Sequence, residues 1–405
     1  MIRLSVWLTT PSGEKIKAGE LVVDDPDAQG ALMGQFRYDP DYPVHPKAVP
    51  LDPIHLPFSS EIFSADRPFA GIHGVFEDSL PDDWGRKLMV RKYKLARDRQ
   101  RAPYLLQVLG RQGMGALRYG EEGEPPCSET GVGISDLDKI VRLAEQFDRN
   151  PDSGGDELAL LFQAGSSPGG ARPKALVDGN GKFYIAKFSS VRDQFDVVAL
   201  EAAAMEMASV AGVGPALTAM IHCASRKVLL VERFDVSSGR GRNHLVSLQT
   251  LLSADGYYNL SYRDIADVVR RISAEPAQDV ERLYRQMIFN IMIGNTDDHL
   301  KNFSMICGES GWRLSPAYDL VPNIGFNREH VLRVGFENRS PTRNTVLQEA
   351  KYFGLKRKER AQSIMNEVQE AVSDWKKVFE KFDVPDKDSS VIGEDIQKRL
   401  KRLGD

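Results

Sequence analysis

Residues 287–302 read MIFNIMIGNTDDHLKN. A strongly apolar run stops at a glycine, and a crowd of ionisable and amide side chains follows at once. The two halves make opposite demands. The run is stable only inside a core, whereas adjacent carboxylates are costly to bury without partners. The chain must therefore fold so that a buried helix ends at a polar rim. A core of the necessary size is available: 405 residues, 41% hydrophobic and 27% charged, bury ample apolar surface without disulfides or metals. That length predicts two or three lobes.

The other bulk numbers exclude more than they assign. Lys plus Arg number 53 and Asp plus Glu 57, so the net charge of −4 exerts no overall pull toward nucleic acid. Cys127, Cys223 and Cys307 lack CxxC partners and the histidines are scattered, which argues against a zinc site or a disulfide framework and suits a reducing cytoplasm. The opening MIRLSVWLTTPSGEK has too short an apolar run for a signal peptide. No stretch approaches the ~18 uninterrupted apolar residues of a membrane span, so no membrane association is expected.

Along the chain, Ile2, Leu4, Val6 and Leu8 alternate before a PSG turn, which predicts a strand entering a hairpin. A helix is expected from about Asp82, with Asp82 or Asp83 as its cap. Residues 120–133 read as a linker, and Leu137, Ile140, Val141, Ala144 and Phe147 mark one helix face. The stretch 174–188 places two β runs around DGNG and predicts a second hairpin. A helix is expected near 195–211, a strand over 227–234, and helices over 261–274, 278–293 and 356–382. The order gives an α+β protein with three segments: a β-rich subdomain at 1–120, a sheet with one helix at 121–236, and a helical lobe at 237–405.

The chemistry-bearing residues follow one another along this order. Asp297 and Asn302 have the D-x-x-x-x-N spacing of a protein-kinase catalytic loop, in which the Asp reaches an attacking hydroxyl and the Asn turns back to a metal ion. Lys301 between them is placed to neutralise a γ-phosphate. Alone, the stretch reads equally well as a helix end whose polar groups cap one another. Downstream, Asp319 in SPAYDLVPN is a second metal candidate, suited with Asn302 to Mg²⁺. Upstream, Lys187 in YIAKF is a lysine in an apolar strand, for which ATP phosphates are one anion, with Glu201 on the next helix as its positioning partner. The loop GSSPGGARPK, with Gly169 and Gly170, offers backbone N–H groups to phosphate. VERFD supplies Glu232 and Phe234 as hinge residues for adenine, and Asp235 for a ribose hydroxyl. Each has a plain structural alternative, such as a surface lysine, a polar turn or a solvated strand end. Their occurrence in kinase order makes that alternative poor for the set.

GNTDDHLKNFSM, YIAKF, VERFD, AYDL and the early DSLPDDWGR together resemble the HipA-type toxin serine/threonine kinases of bacteria, over about residues 1–380. The resemblance implies a two-lobed, cytoplasmic protein-kinase-like fold with an extra N-terminal β-rich subdomain, and ATP and Mg²⁺ as cofactors. It implies Asp297 as catalytic base, Asn302 and Asp319 as metal ligands, Lys187 on the ATP phosphates and Glu232–Phe234 on adenine. It further implies autophosphorylation at Ser166 or Ser167, an aminoacyl-tRNA synthetase as substrate, and a small helix-turn-helix, HipB-like antitoxin through which the complex meets operator DNA. The loop SSPGGARPK departs from the expected pattern, and HRD and the Phe–Gly of DFG are missing. Two other functions fit the chemistry less closely: a non-catalytic kinase-fold co-repressor and a kinase of small-molecule alcohols.

Overall fold

The computed structural model describes residues 1–65, 70–110, 113–121, 132–150, 160–161, 172–223, 226–237, 241–255, 259–323, 329–336 and 339–404. Its chain packs into two compact units. Unit 1 comprises Met1–Val191, Arg233–Val246 and Ile306–Glu309; unit 2 comprises Arg192–Glu232, Ser247–Met305 and Ser310–Asp405. The segment 121–236 is thus shared between the units, and the chain re-enters unit 1 between Glu232 and Arg233, inside the VERFD stretch.

Unit 1 opens with the hairpin of β1 (Ile2–Thr9) and β2 (Lys15–Val23), with a register shift between Val6 and Trp7. β3 (Gly34–Tyr38) and β4 (Phe63–Ser64) extend it on one side and β5 (Leu117–Gly120) on the other, all antiparallel. Leu4, Val6, Leu8, Leu21 and Phe36 are buried there. The short α1 (Gly74–Glu77) precedes the DSLPDDWGR block, and the block opens α2 (Asp83–Lys92). Asp82 occupies the N-cap position of α2 without a side-chain capping bond. Arg86 donates to the Pro81 carbonyl at 2.8 Å and pairs with Glu77 at 3.3 Å. α3 (Ala102–Leu109) follows, then α4 (Leu137–Arg149), whose Phe147 meets the buried Trp84 ring edge to face at 6.1 Å. The block is therefore a packing element of unit 1. β6 (Val132–Gly133) runs parallel to β7 (Lys174–Gly179), which pairs antiparallel with β8 (Lys182–Phe188). Asn180 and Gly181 both take positive φ, 53° and 76°, so the DGNG stretch forms the tight turn that matches strand twist.

Unit 2 begins with α5 (Val197–Val210), capped by Asp196, whose carboxylate accepts from the Ala199 amide at 3.1 Å. Alanines line it, so it packs closely and is buried almost all round. β9 (Thr218–Cys223) and β10 (Arg226–Glu232) form an antiparallel hairpin. After β11 (His244–Ser247), which belongs to unit 1 as far as Val246, come α6 (Leu248–Leu251) and α7 (Tyr262–Ile272) of unit 2, the latter begun by a Ser261/Asp264 capping box. α8 (Pro276–Ile293) is the centre of the unit: Leu283, Tyr284, Met287, Ile288, Phe289, Ile291 and Met292 are all fully buried. β12 (Ser304–Gly308), which passes into unit 1 at Ile306, is followed in unit 2 by β13 (Gly311–Leu314) and α9 (Arg343–Glu349). The helix expected over 356–382 is two helices, α10 (Lys358–Ser373) and α11 (Trp375–Lys381), broken at Asp374. The break lets Trp375 turn into the core, where its ring lies 2.0 Å from the place a Cβ on Gly393 would occupy. Gly393 belongs to α12 (Asp386–Gly404), the helix that the basic tail forms. Among the described residues no helix is long and apolar enough to cross a membrane.

Candidate active site

α8 stops at Gly294, which sits in the left-handed region at φ 74°. A side chain there would be strained, and its Cβ would lie 2.9 Å from both Arg399 Nε and Asp395 Oδ2 of α12. Arg399 also donates to the Ile291 carbonyl at 3.3 Å, one of the acceptors left over at the helix end. The apolar helix thus ends sharply, and residues 295–302 form an irregular loop closed by one 3₁₀ turn at Leu300–Asn302.

In this loop Asp297 is exposed, and its backbone carbonyl accepts from Asn302 Nδ2 at 2.9 Å. The bond occupies the amide nitrogen of Asn302 and leaves Oδ1 as the atom able to ligate a hard cation. The Tyr318–Asp319 segment is tied to the same loop: Tyr318 Oη donates to the Lys301 carbonyl at 2.8 Å and shares a hydrogen bond with Ser304 Oγ at 2.7 Å. Asp319 itself has φ 53°, a conformation that aspartate tolerates better than most residues and that is frequent where function dictates the backbone. Unit 2 therefore brings Asp297, Lys301, Asn302 and the Asp319 segment together. One amide and one carboxylate oxygen are the donor types that Mg²⁺ accepts while keeping water and phosphate as its other ligands, so the residues fit that ion.

A neighbour not anticipated from the sequence holds the loop. Asp298 is 1% exposed, yet its carboxylate is saturated with donors. Oδ2 accepts from Tyr262 Oη at 2.7 Å and His330 Nδ1 at 2.9 Å, and Oδ1 from the Val331 amide at 2.8 Å and, more weakly, the Leu332 amide at 3.4 Å. Tyr262 Oη in turn accepts from Asn290 Nδ2 at 3.0 Å, and Asn290 Oδ1 accepts from Asn295 Nδ2 at 3.1 Å. A buried polar chain therefore runs from α8 through α7 to the segment after Asp319. The only local hints of it are the asparagine inside MIFNIMIG and the second aspartate of the doublet.

The other expected site residues have different surroundings. Glu201 lies within α5 at 5% exposure, and Glu232, half-buried, ends β10, both in unit 2. Lys187 lies in β8 of unit 1, half-buried between the buried Ala186 and Phe188 and opposite Lys174 in register. Phe234 is half-buried, and its carbonyl accepts from Asn243 at 3.0 Å. Asp235 has an unexpected setting: it is 0% exposed and grips Arg233 through both oxygens, at 3.0 and 2.6 Å, while also accepting the Gly115 amide at 2.8 Å. Burial alone raises its pKa, but Arg233, Arg242 and the Gly115 amide outweigh it and hold the carboxyl below the ordinary range. Such a carboxylate is an internal clamp and is not open to a ribose hydroxyl. Ser166, Ser167, Gly169 and Gly170 lie outside the described residues.

Comparison with known proteins addresses the family and the fold. The model of the HipA-like C-terminal domain matches residues 166–375, and that of the HipA N-terminal domain matches residues 12–120. The chain is 27% identical over 330 residues to the Y4mE protein of Sinorhizobium fredii, covering 73% of this chain and 76% of that protein. It is 26% identical over 274 residues to the serine/threonine-protein kinase toxin HipA of Shewanella oneidensis, covering 60% of this chain and 61% of that protein. The solved complex of Shewanella oneidensis HipA and HipB with operator DNA matches with a TM-score of 0.70 at 19% identity, over 98% of this chain and 96% of the other. That similarity shows an α+β, kinase-like fold. With one domain model over more than half the chain and a second over most of its N-terminal part, the chain belongs to the HipA-type toxin kinase family.

Proposed function

We propose that this chain is an ATP- and Mg²⁺-dependent serine/threonine protein kinase that acts in the bacterial cytoplasm as the toxin of a toxin–antitoxin pair. The observation that carries this reading is the exposed Asp297 beside Asn302, whose amide is turned onto the Asp297 carbonyl, with the Asp319 segment bonded to the same loop. Asp297 takes the proton of the acceptor hydroxyl as that oxygen bonds to the γ-phosphorus; the bond from phosphorus to the bridging oxygen breaks and ADP leaves with the electron pair. Asn302 and Asp319 would hold the metal, and Lys301 in the same loop would meet the phosphates; Lys187 is a phosphate contact by the family resemblance alone. When bound, Mg²⁺ offsets charge on the phosphate oxygens.

The acceptor we infer is a protein, with an aminoacyl-tRNA synthetase as first choice, so that phosphorylation halts translation. Autophosphorylation at Ser166 or Ser167 adds close to two negative charges to the glycine-rich loop and switches the kinase off. The partner is a small helix-turn-helix antitoxin, HipB-like, through which the pair meets operator DNA; the relative solved with HipB and operator DNA supports this.

The test is incubation of the full chain with labelled ATP and Mg²⁺, beside Asp297→Asn, followed by phosphopeptide mapping and by expression in growing cells. Label at Ser166 or Ser167 and growth arrest, both lost in Asp297→Asn, are expected. Growth arrest that persists in Asp297→Asn would overturn the kinase reading in favour of a binding module.

A further inference from the structure

Between the catalytic-loop aspartate and the segment that follows the metal aspartate, ordinary kinases place a conditional link: activation segments are ordered when phosphorylation supplies a new partner for arginine. This chain has no HRD arginine. It has instead Asp298, next to Asp297, with four donors from two directions. Tyr262 Oη comes from α7, while His330 Nδ1 and the Val331 and Leu332 amides come from beyond Asp319. Tyr262, Asp298 and His330 are each 1% exposed, so water does not compete for these bonds. The Val331 amide is shared with the Thr296 carbonyl at 3.3 Å, which binds the same segment to the loop a second time.

We propose that Asp298 is a positioning residue that locks the catalytic loop to the 330–332 segment permanently, in place of a phosphorylation-dependent switch. The proposal rests on the kinase reading for its effect on turnover, and on geometry alone for the lock. Asp297 is exposed, and the backbone that carries it runs directly into Asp298, whose bonds fix that part of the loop. With Asp298 removed, Tyr262, His330 and Val331 lose a common acceptor and the loop loses its fixed register. A misplacement of about 1 Å costs on the order of 100-fold in rate.

The experiment compares the full chain with Asp298→Ala, Asp298→Asn and Tyr262→Phe by three measurements: amide exchange at 331 and 332, calorimetric affinity for ATP with Mg²⁺, and turnover. Asp298→Ala is expected to exchange at least roughly tenfold faster at 331 and 332 and to turn over roughly 100-fold more slowly, with ATP affinity kept within about threefold. Asp298→Asn retains an oxygen for the amides and restores part of both losses. Tyr262→Phe removes one donor, folds if the alanine variant does not, and lowers turnover without lowering affinity. Turnover within about threefold of the parent in Asp298→Ala overturns the proposal, as does unchanged exchange. Equal falls in affinity, turnover and melting temperature in both Asp298→Ala and Tyr262→Phe also overturn it, since that is what a plain folding role gives. If the parent chain itself transfers no phosphate, the kinase reading fails, and exchange at 331 and 332 alone decides the lock.

Discussion

Single residues carry the tightest constraints in this chain. Asp319 combines a candidate ligand with a left-handed backbone, and the two properties separate by substitution. Asparagine also tolerates that conformation, so Asp319→Asn should melt with the parent while turnover drops on the order of 100-fold, as read by thermal scans and phosphate transfer. At Gly294 both the φ of 74° and the closeness of Arg399 and Asp395 oppose any side chain. Gly294→Ala should lose roughly 1–3 kcal/mol in urea unfolding. What was legible at this scale was local. The Asp297–Asn302 spacing is visible because both residues lie on one short loop. Asp298 was illegible because its partners Tyr262 and His330 stand 36 and 32 residues away. Asp235 was misread for the same reason: its burial depends on Gly115, 120 residues earlier.

Elements were read well where the chain announces its own ends. The DGNG turn and the apolar face of α4 are written in neighbouring residues, and the hairpin and that helix stand where those signals put them. The break at Asp374 was not written there. Residues 358–381 keep helical composition throughout, and only the need to bury Trp375 against α12 divides them. Gly393 is the counterpart of that ring. Gly393→Val should therefore cost roughly 1–3 kcal/mol by overpacking, measured in denaturant, with helical circular dichroism retained at low denaturant. Basic residues of the C-terminal helices have acidic partners within unit 2: Arg360 pairs with Glu281, and Arg399 with Asp395.

At the scale of the molecule, acid is the informative variable. His244 is buried and its Nε2 hydrogen bonds the Leu51 carbonyl at 2.7 Å; burial drives its pKa from 6.5 down to about 4, against a smaller opposing effect of that bond. Below its ordinary pKa the unfolded chain takes a proton that the folded chain refuses until about pH 4, so stability falls as pH drops through that window. The fall is roughly 3 kcal/mol, and His244→Gln should flatten it in pH-dependent melting. Asp235 acts lower: its depressed folded pKa keeps its stabilisation intact until pH falls below the usual carboxylate value. Asp235→Ala, which strands Arg233, should cost roughly 3–5 kcal/mol at neutral pH. The clamp it forms also has a bearing on biosynthesis. Gly113–Gly115 leave the ribosome long before Arg233–Asp235, and unit 1 still lacks Ile306–Glu309 at that point. Because a growing chain folds only what has emerged, a nascent chain stopped short of residue 309 has neither unit whole. The 295–302 loop is thus synthesised only moments before the first unit can close, so a truncated translation product carries that loop's sequence without either unit assembled around it.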